Sequence, residues 1–192
     1  MTADRWLDRW LPLIQKRVGP LPLLELGCGP GWDTTVLVEN GIDVFAVDLS
    51  AKRIAQAQEL VPKAHFYCQD IRDAFPQQEN GFNVVLASLS LHYFAWEETA
   101  VIVSRIHQVL QPHGILLCRL NSTKDTNYGA VGYPEIDTNF YLVRGRQKRF
   151  FDEAAVQRLF QAGWKQRSLE EMTIGRFGRP KVVWEVVLEK EA

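Results

Sequence analysis

The chain reads as an α/β domain built on a largely parallel sheet, and three observations predict it. Short apolar runs rich in β-branched residues alternate with amphipathic helical stretches, the pattern of a sheet covered on both faces. A glycine-rich turn follows the first of these runs. The last two strand candidates are joined by a connection too short for a crossover helix, so they form an antiparallel hairpin. A chain of 192 residues falls within the size of one domain, and we take residues 1–192 as a single unit.

The N-terminal segment carries Trp6, Leu7, Trp10, Leu11 and Ile14 at helical spacing, interrupted by Pro12 and closed by Gly19-Pro20. It is either a helix packed on the sheet or one lying over the ligand mouth. The first strand runs from Leu21 to Leu26 and leads into Gly27-Cys28-Gly29-Pro30-Gly31. A helix follows with Asp33 as its N-cap and Gly41 as its stop, and then the second strand, Asp43 to Val47. Ser50 caps the next helix, which ends before Pro62.

The third and fourth strands are Ala64 to Cys68 and Asn83 to Ser88. Ile102, Ile106, Val109 and Leu110 then recur with one apolar stripe, and Pro112 and Gly114 mark the end of that helix before the fifth strand, Gly114 to Leu120. Residues 121–150 are polar, rich in Gly and Tyr, and far longer than the roughly two to six residues usual between such elements, which marks a functional insertion. A helix from Asp152 to Gly163 precedes the final strands, Trp164 to Ile174 and Lys181 to Lys190, joined through Gly175 to Pro180.

Composition excludes several classes. A net charge of -1 gives no global positive field of the kind that draws a protein onto phosphate backbones. The three cysteines, at 28, 68 and 118, have no metal-ligand spacing and read as reduced thiols of a cytoplasmic protein. The start has no signal-peptide layout, and no apolar stretch approaches the ~18 residues of a spanning helix, so neither secretion nor membrane insertion is expected.

The glycine loop follows a strand and opens a helix, a context in which glycines permit a tight turn and let a ligand approach backbone amides. The same loop also suits a purely structural turn. Trp32 stands where a dinucleotide fingerprint G-x-G-x-x-G requires its third glycine, which argues against a pyrophosphate seated on the helix terminus. Asp48, seventeen residues beyond Gly31, closes the second strand where a carboxylate can accept both hydroxyls of a ribose. Asp70 closes the third, either as an acceptor for an adenine amine with Ile71 over the ring or as a turn residue. Three such loops at the carboxyl ends of adjacent strands converge on the crevice where open α/β sheets bind ligands.

At these residues the chain resembles the class I, Rossmann-like S-adenosylmethionine (AdoMet)-dependent methyltransferases, over nearly its whole length. The resemblance implies a doubly wound seven-stranded sheet in the order 3-2-1-4-5-7-6, AdoMet as cofactor and S-adenosylhomocysteine as product. It implies Glu25 and the loop, with Gly27, Cys28, Gly29 and Gly31, near the methionine moiety. Asp48 then holds the ribose, while Leu49, Asp70 and Ile71 form the adenine pocket. The end of the fourth strand, Ser88 to Phe94, runs beside the reactive methyl. There His92 is either a base or acceptor-orienting group or a capping or packing histidine. Tyr93, Arg119, Asn121 and Tyr128 are the further candidates for the acceptor side.

The Asn-Ser-Thr and Asn-Tyr-Gly segments of the insertion resemble small bacterial methyltransferases of the tellurite-resistance type, which implies a small or inorganic acceptor. Arg144 to Arg149 is the densest basic run, able to receive an anionic acceptor or a phosphate backbone, or to form a solvated hairpin turn. The Asn/Asp-Pro-Pro-Tyr/Phe sequence of nitrogen-directed methyltransferases is missing from the fourth strand, so DNA is not the expected acceptor. The expected function is methyl transfer to a small molecule by a monomer or homodimer that engages neither DNA nor membrane. The alternatives are an RNA or protein methyltransferase and a nicotinamide-dependent oxidoreductase.

Overall fold

A computed structural model of the chain describes residues 5–76, 81–175 and 178–192. The main sheet has seven strands: β1 (Leu23–Leu26), β2 (Val44–Asp48), β3 (His65–Cys68), β4 (Phe82–Ser88), β5 (Leu110–Asn121), β9 (Trp164–Ile174) and β10 (Lys181–Lys190). Their spatial order is β3-β2-β1-β4-β5-β10-β9. Strands β1 to β5 pair in parallel, and β10 is antiparallel to both of its neighbours. Numbered among themselves, these strands stand in the 3-2-1-4-5-7-6 order that the resemblance implies. In the connection between β9 and β10, Arg176 and Phe177 lie outside the described residues.

Both faces of the sheet are covered because neighbouring side chains point to opposite sides of a strand. Leu23, Val84, Leu86, Ile115 and Leu117 pack with Ile14 of α1 (Leu11–Val18), Leu37 of α2 (Trp32–Glu39) and Ile54 of α3 (Ala51–Leu60). Leu24, Val85, Ala87, Leu116 and Cys118 pack on the other side, against α4 (Trp96–Val109) and α5 (Glu153–Leu159). The helix starts follow capping chemistry. Ser50 Oγ accepts from the Arg53 amide and Asp152 Oδ1 from the Ala155 amide at 2.8 Å.

Most strand and helix limits differ from the sequence reading by one to four residues, and some of the differences have a clear physical cause. Asp33 is not the N-cap of α2: Gly31, left-handed at φ 87°, takes that place, and the Asp33 carboxylate accepts from the Trp6 indole at 3.2 Å. Leu110 begins β5 rather than ending α4, because Pro112 and a left-handed His113 form an irregularity inside the strand instead of a break before it. Pro12 does not interrupt a helix but sits in the first turn of α1, where proline is tolerated, after a separate 3-10 turn, Trp6–Arg9, that Trp10 caps. The turn at the basic run is Arg144-Gly145 alone, both with positive φ, while Arg146–Arg149 is itself a strand.

That last strand belongs to a small antiparallel sheet within residues 121–150: β6 (Glu135–Asp137), β7 (Phe140–Val143) and β8 (Arg146–Arg149), in that order. It is tied to the main sheet where the Phe151 amide donates to Asn121 O at 2.8 Å and the Trp184 indole donates to Phe151 O at 2.8 Å. No helix among the described residues is long and apolar enough to cross a membrane. Cys28, Cys68 and Cys118 are all free.

Candidate active site

The carboxyl ends of β1 to β4 open onto one cavity of about 660 Å³. From β1 it receives Gly27, whose amide donates to Val47 O at 2.7 Å and which turns the chain across the sheet at φ 78°. A Cβ on Gly27 would lie 2.5 Å from that of Ser90, so the first loop and the end of β4 approach as closely as a hydrogen atom allows. From β2 come Asp48 and Leu49. Asp48 Oδ2 accepts from the Gly29 amide at 2.9 Å and Oδ1 from the Ser50 amide at 2.8 Å, so this carboxylate shapes the loop while lining the cavity. Leu49 is 68% exposed, an apolar side chain standing open at the cavity wall.

From β3 come Asp70 and the buried Ile71. Arg72 folds back on Asp70, donating from Nη2 at 2.7 Å and Nε at 3.1 Å, and reaches Glu98 of α4 at 2.9 Å. The guanidinium beside Asp70 holds its carboxyl below the usual carboxylate range against the opposing effect of burial. After β4, Leu89 takes a left-handed conformation at φ 56°, unusual for a residue with a branched side chain, and delivers Ser90 into the lining. The Ser90 hydroxyl is buried without a hydrogen-bond partner in the structure.

The other candidates stand behind this surface. Glu25 is buried in β1 and accepts from the Thr34 hydroxyl at 2.6 Å. The Cys28 thiol is pushed up by burial first and by Glu25 and Asp48 second, which leaves it protonated. Gly29 meets Asp48 through its amide, and Gly31 packs its α-carbon on α3, where a Cβ would lie 3.0 Å from that of Ala57. Ser88 Oγ accepts from Arg119 Nε at 3.0 Å and Nη2 at 2.9 Å. Arg119 is fully buried with its guanidinium over the Trp6 ring at 4.2 Å. Trp6 and α1 both pack in the core on one face of the sheet, and among the described residues of the N-terminal segment none lines the cavity.

On the acceptor side, Tyr93 lines the cavity and its ring centroid lies 4.2 Å from that of His92. His92 is buried, its Nδ1 has no partner, and burial, with Lys181 and Lys148 adding to it, drives its pKa well below the ordinary histidine value. The imidazole is therefore neutral. Asn121 is buried, with Oδ1 likewise without a partner. Tyr128 donates its hydroxyl hydrogen to Arg179 O at 3.2 Å and lies 4.9 Å below the Lys181 ammonium.

The structure also brings in Arg53, which sequence reasoning did not name, and part of the basic run Arg144 to Arg149, which it did. Arg53 lines the cavity three residues beyond the cap Ser50, a spacing that was readable once the helix start was placed. Arg146 and Gln147 reach the mouth from β8, and the charges of Lys181 and Lys148 act on His92. The basic run itself was visible in sequence, but nothing local fixes where a long insertion folds back. No group of three or more His, Cys, Asp or Glu residues among the described residues is placed to hold a metal.

Residues 23–114 match the family described as a methyltransferase domain. An uncharacterized methyltransferase of Synechocystis is 35% identical over 106 residues, 55% of this chain and 50% of that protein. A trans-aconitate 2-methyltransferase of Paracidovorax citrulli is 31% identical over 100 residues, 51% of this chain and 38% of that one. This chain thus spans half or less of the length of these two curated relatives. Among solved structures, a SAM-dependent methyltransferase of Methanosarcina mazei superposes with a TM-score of 0.79 at 16% identity, covering 94% of this chain and 97% of that one.

Proposed function

From the premise that this chain carries a class I AdoMet-dependent methyltransferase domain, we propose that it transfers the methyl group of AdoMet to a nucleophilic atom of a small molecule. The observation that carries the reading is the single cavity in which Gly27, Asp48, Asp70 and Ile71 meet from three separate strand ends. Its volume lies within the roughly 300–1,000 Å³ of small-ligand sites. The activity of the trans-aconitate relative supports a small acceptor. The three free thiols fit a reducing cytoplasm.

The residues present fit AdoMet. The close approach of Gly27 to Ser90 leaves backbone, not side chain, facing the ligand, and the Ser90 hydroxyl lacks a partner that a bound polar group can supply. Asp48, already holding two amides, retains lone pairs for ribose hydroxyls. Leu49 and Ile71 are the apolar walls for adenine, and Asp70 the acceptor for its amine. Glu25, Cys28, Gly29, Gly31 and Ser88 hold the loop in shape. When bound, AdoMet supplies a methyl already activated on sulfur, so an acceptor lone pair forms the new bond as the C–S electron pair returns to sulfur, giving S-adenosylhomocysteine.

The protein's part is to align the acceptor and keep water out, since the leaving group is neutral. His92, kept neutral beside Tyr93, orients the acceptor and takes its proton where the acceptor arrives protonated. A nicotinamide oxidoreductase is disfavoured by the antiparallel β10 in the sheet and by Trp32 at the helix start. The test is uptake of labelled methyl from AdoMet into a panel of small metabolites. His92→Gln is expected to lower kcat about a hundredfold with AdoMet affinity unchanged; turnover equal to wild type removes His92 from the mechanism, and failure to bind AdoMet at all refutes the assignment.

A further inference from the structure

The cavity over β1 to β4 holds a charged group that the roles given above leave unused. Among the described residues three guanidinium side chains line it, those of Arg53, Arg72 and Arg146. Arg72 is committed, since it donates to Asp70 at 2.7 Å and to Glu98 at 2.9 Å. Arg146 enters from β8, in the insertion. Arg53 enters from α3, and among the described residues its guanidinium has neither a hydrogen bond nor an ion pair. Its Nη1 lies 3.9 Å from the point where a Cβ of Gly29 would stand, so the charge rests against the glycine loop.

Nothing in the local structure accounts for a cation at this place. Arg53 lies in the first turn of α3, which holds no acidic residue, and its neighbour Lys52 adds a second positive charge there. The N-terminal end of a helix carries a partial positive charge of its own, so both side chains work against α3. Arg53 is also exposed, so packing does not explain it either. The carboxylates that line the cavity are spent elsewhere: Asp48 on the Gly29 and Ser50 amides, Asp70 and Glu98 on Arg72. An unneutralised guanidinium in the wall of a ligand cavity is a receiver for an anionic group of the ligand.

The order of the strand ends says which group this is. With the adenine between Leu49 and Ile71 at the ends of β2 and β3, and the ribose on Asp48, the rest of an extended AdoMet molecule runs on toward β1 and its loop, against which Arg53 rests. AdoMet carries one anionic group, the α-carboxylate of its methionine part. Resting on the methyltransferase reading above, we propose that Arg53 binds this carboxylate and makes the site selective for a cofactor whose amino-acid end is intact. The bound carboxylate also neutralises the first turn of α3.

The experiment measures, by calorimetry on the full chain, the binding of S-adenosylhomocysteine and of S-adenosyl-3-thiopropylamine, the same molecule without its carboxylate. Wild type is expected to bind S-adenosylhomocysteine about tenfold more tightly, the scale of one charge-assisted contact. Arg53→Gln is expected to lose about that factor for S-adenosylhomocysteine and nothing for the amine, while Arg53→Lys keeps part of the difference. Added salt narrows the wild-type difference and leaves Arg53→Gln unmoved. Because the side chain is exposed and unpartnered, the Tm of Arg53→Gln is expected to be no lower than that of wild type, which separates lost affinity from lost folding. Equal binding of the two ligands by wild type, a difference that survives in Arg53→Gln, or an equal loss for both ligands overturns the proposal. Failure of wild type to bind either ligand counts against the methyltransferase reading instead.

Discussion

Gly27 shows how little room separates a working loop from a broken one. At φ 78° it occupies backbone space that L side chains rarely enter, and its missing Cβ is the gap in which Ser90 packs at 2.5 Å. Gly27→Ala is expected to cost about 2 kcal/mol or more from the left-handed conformation and the clash together, lowering Tm by several degrees, and to abolish AdoMet binding. Thermal denaturation and calorimetric titration read the two effects, and a variant with wild-type values in both refutes the role given to this approach. Much of the site was legible at this scale. Gly27, Asp48, Leu49, Asp70, Ile71 and Tyr93, all named from sequence, line the cavity. Residues whose role depends on a partner far along the chain were not legible: Arg119 is spent on Ser88 and Trp6, and Lys181 of β10 is tied to Asp125 of the insertion.

The turn after β3 illustrates what an element contributes. Asp70, Arg72 and Glu98 form one chain of ion pairs that fastens this turn to α4 and so fixes one wall of the cavity. Because Arg72 holds the Asp70 carboxyl below its ordinary value of 3.8, the folded state prefers the charged form. The stability this confers is present above the unfolded value and is lost as pH falls through the lower folded one. Asp70→Asn is therefore expected to be less stable than wild type near neutrality, with the difference shrinking below pH 3.8 in chemical denaturation series. A difference that stays constant with pH overturns this account. The limits of β9 and β10 coincide with the sequence reading, and the other five strands of the main sheet were placed to within a few residues. Residues 135–149 were not readable as a complete sheet, because β6 has only exposed residues, Glu135 to Asp137, and no alternation marks it. The helix read as ending at Pro112 stops at Val109 instead, since Leu110 already pairs with Phe82 of β4.

For the molecule as a whole, a ligand that touches the ends of β1 to β4 at once binds the native state and not the unfolded chain. AdoMet at a hundred times its Kd is expected to add about 2.7 kcal/mol and to raise Tm by roughly 5–10 °C, while NADH at the same concentration leaves it unchanged. Differential scanning fluorimetry measures both, and stabilisation by NADH alone reverses the cofactor assignment. The position of β10 has a consequence for how this state is reached. It follows every other strand of the sheet in sequence, yet it lies between β5 and β9 and provides all of β9's pairing in that sheet. On the ribosome the first five strands can assemble as they emerge, but β9 has nothing to pair with until β10 is made. Until then the edge of β5 is open, and Lys181 has not yet reached Asp125. Closure of the sheet and formation of the Lys181–Asp125 ion pair are therefore one late event in synthesis, so a nascent chain can shape its cofactor loop before its last strand ties down the insertion.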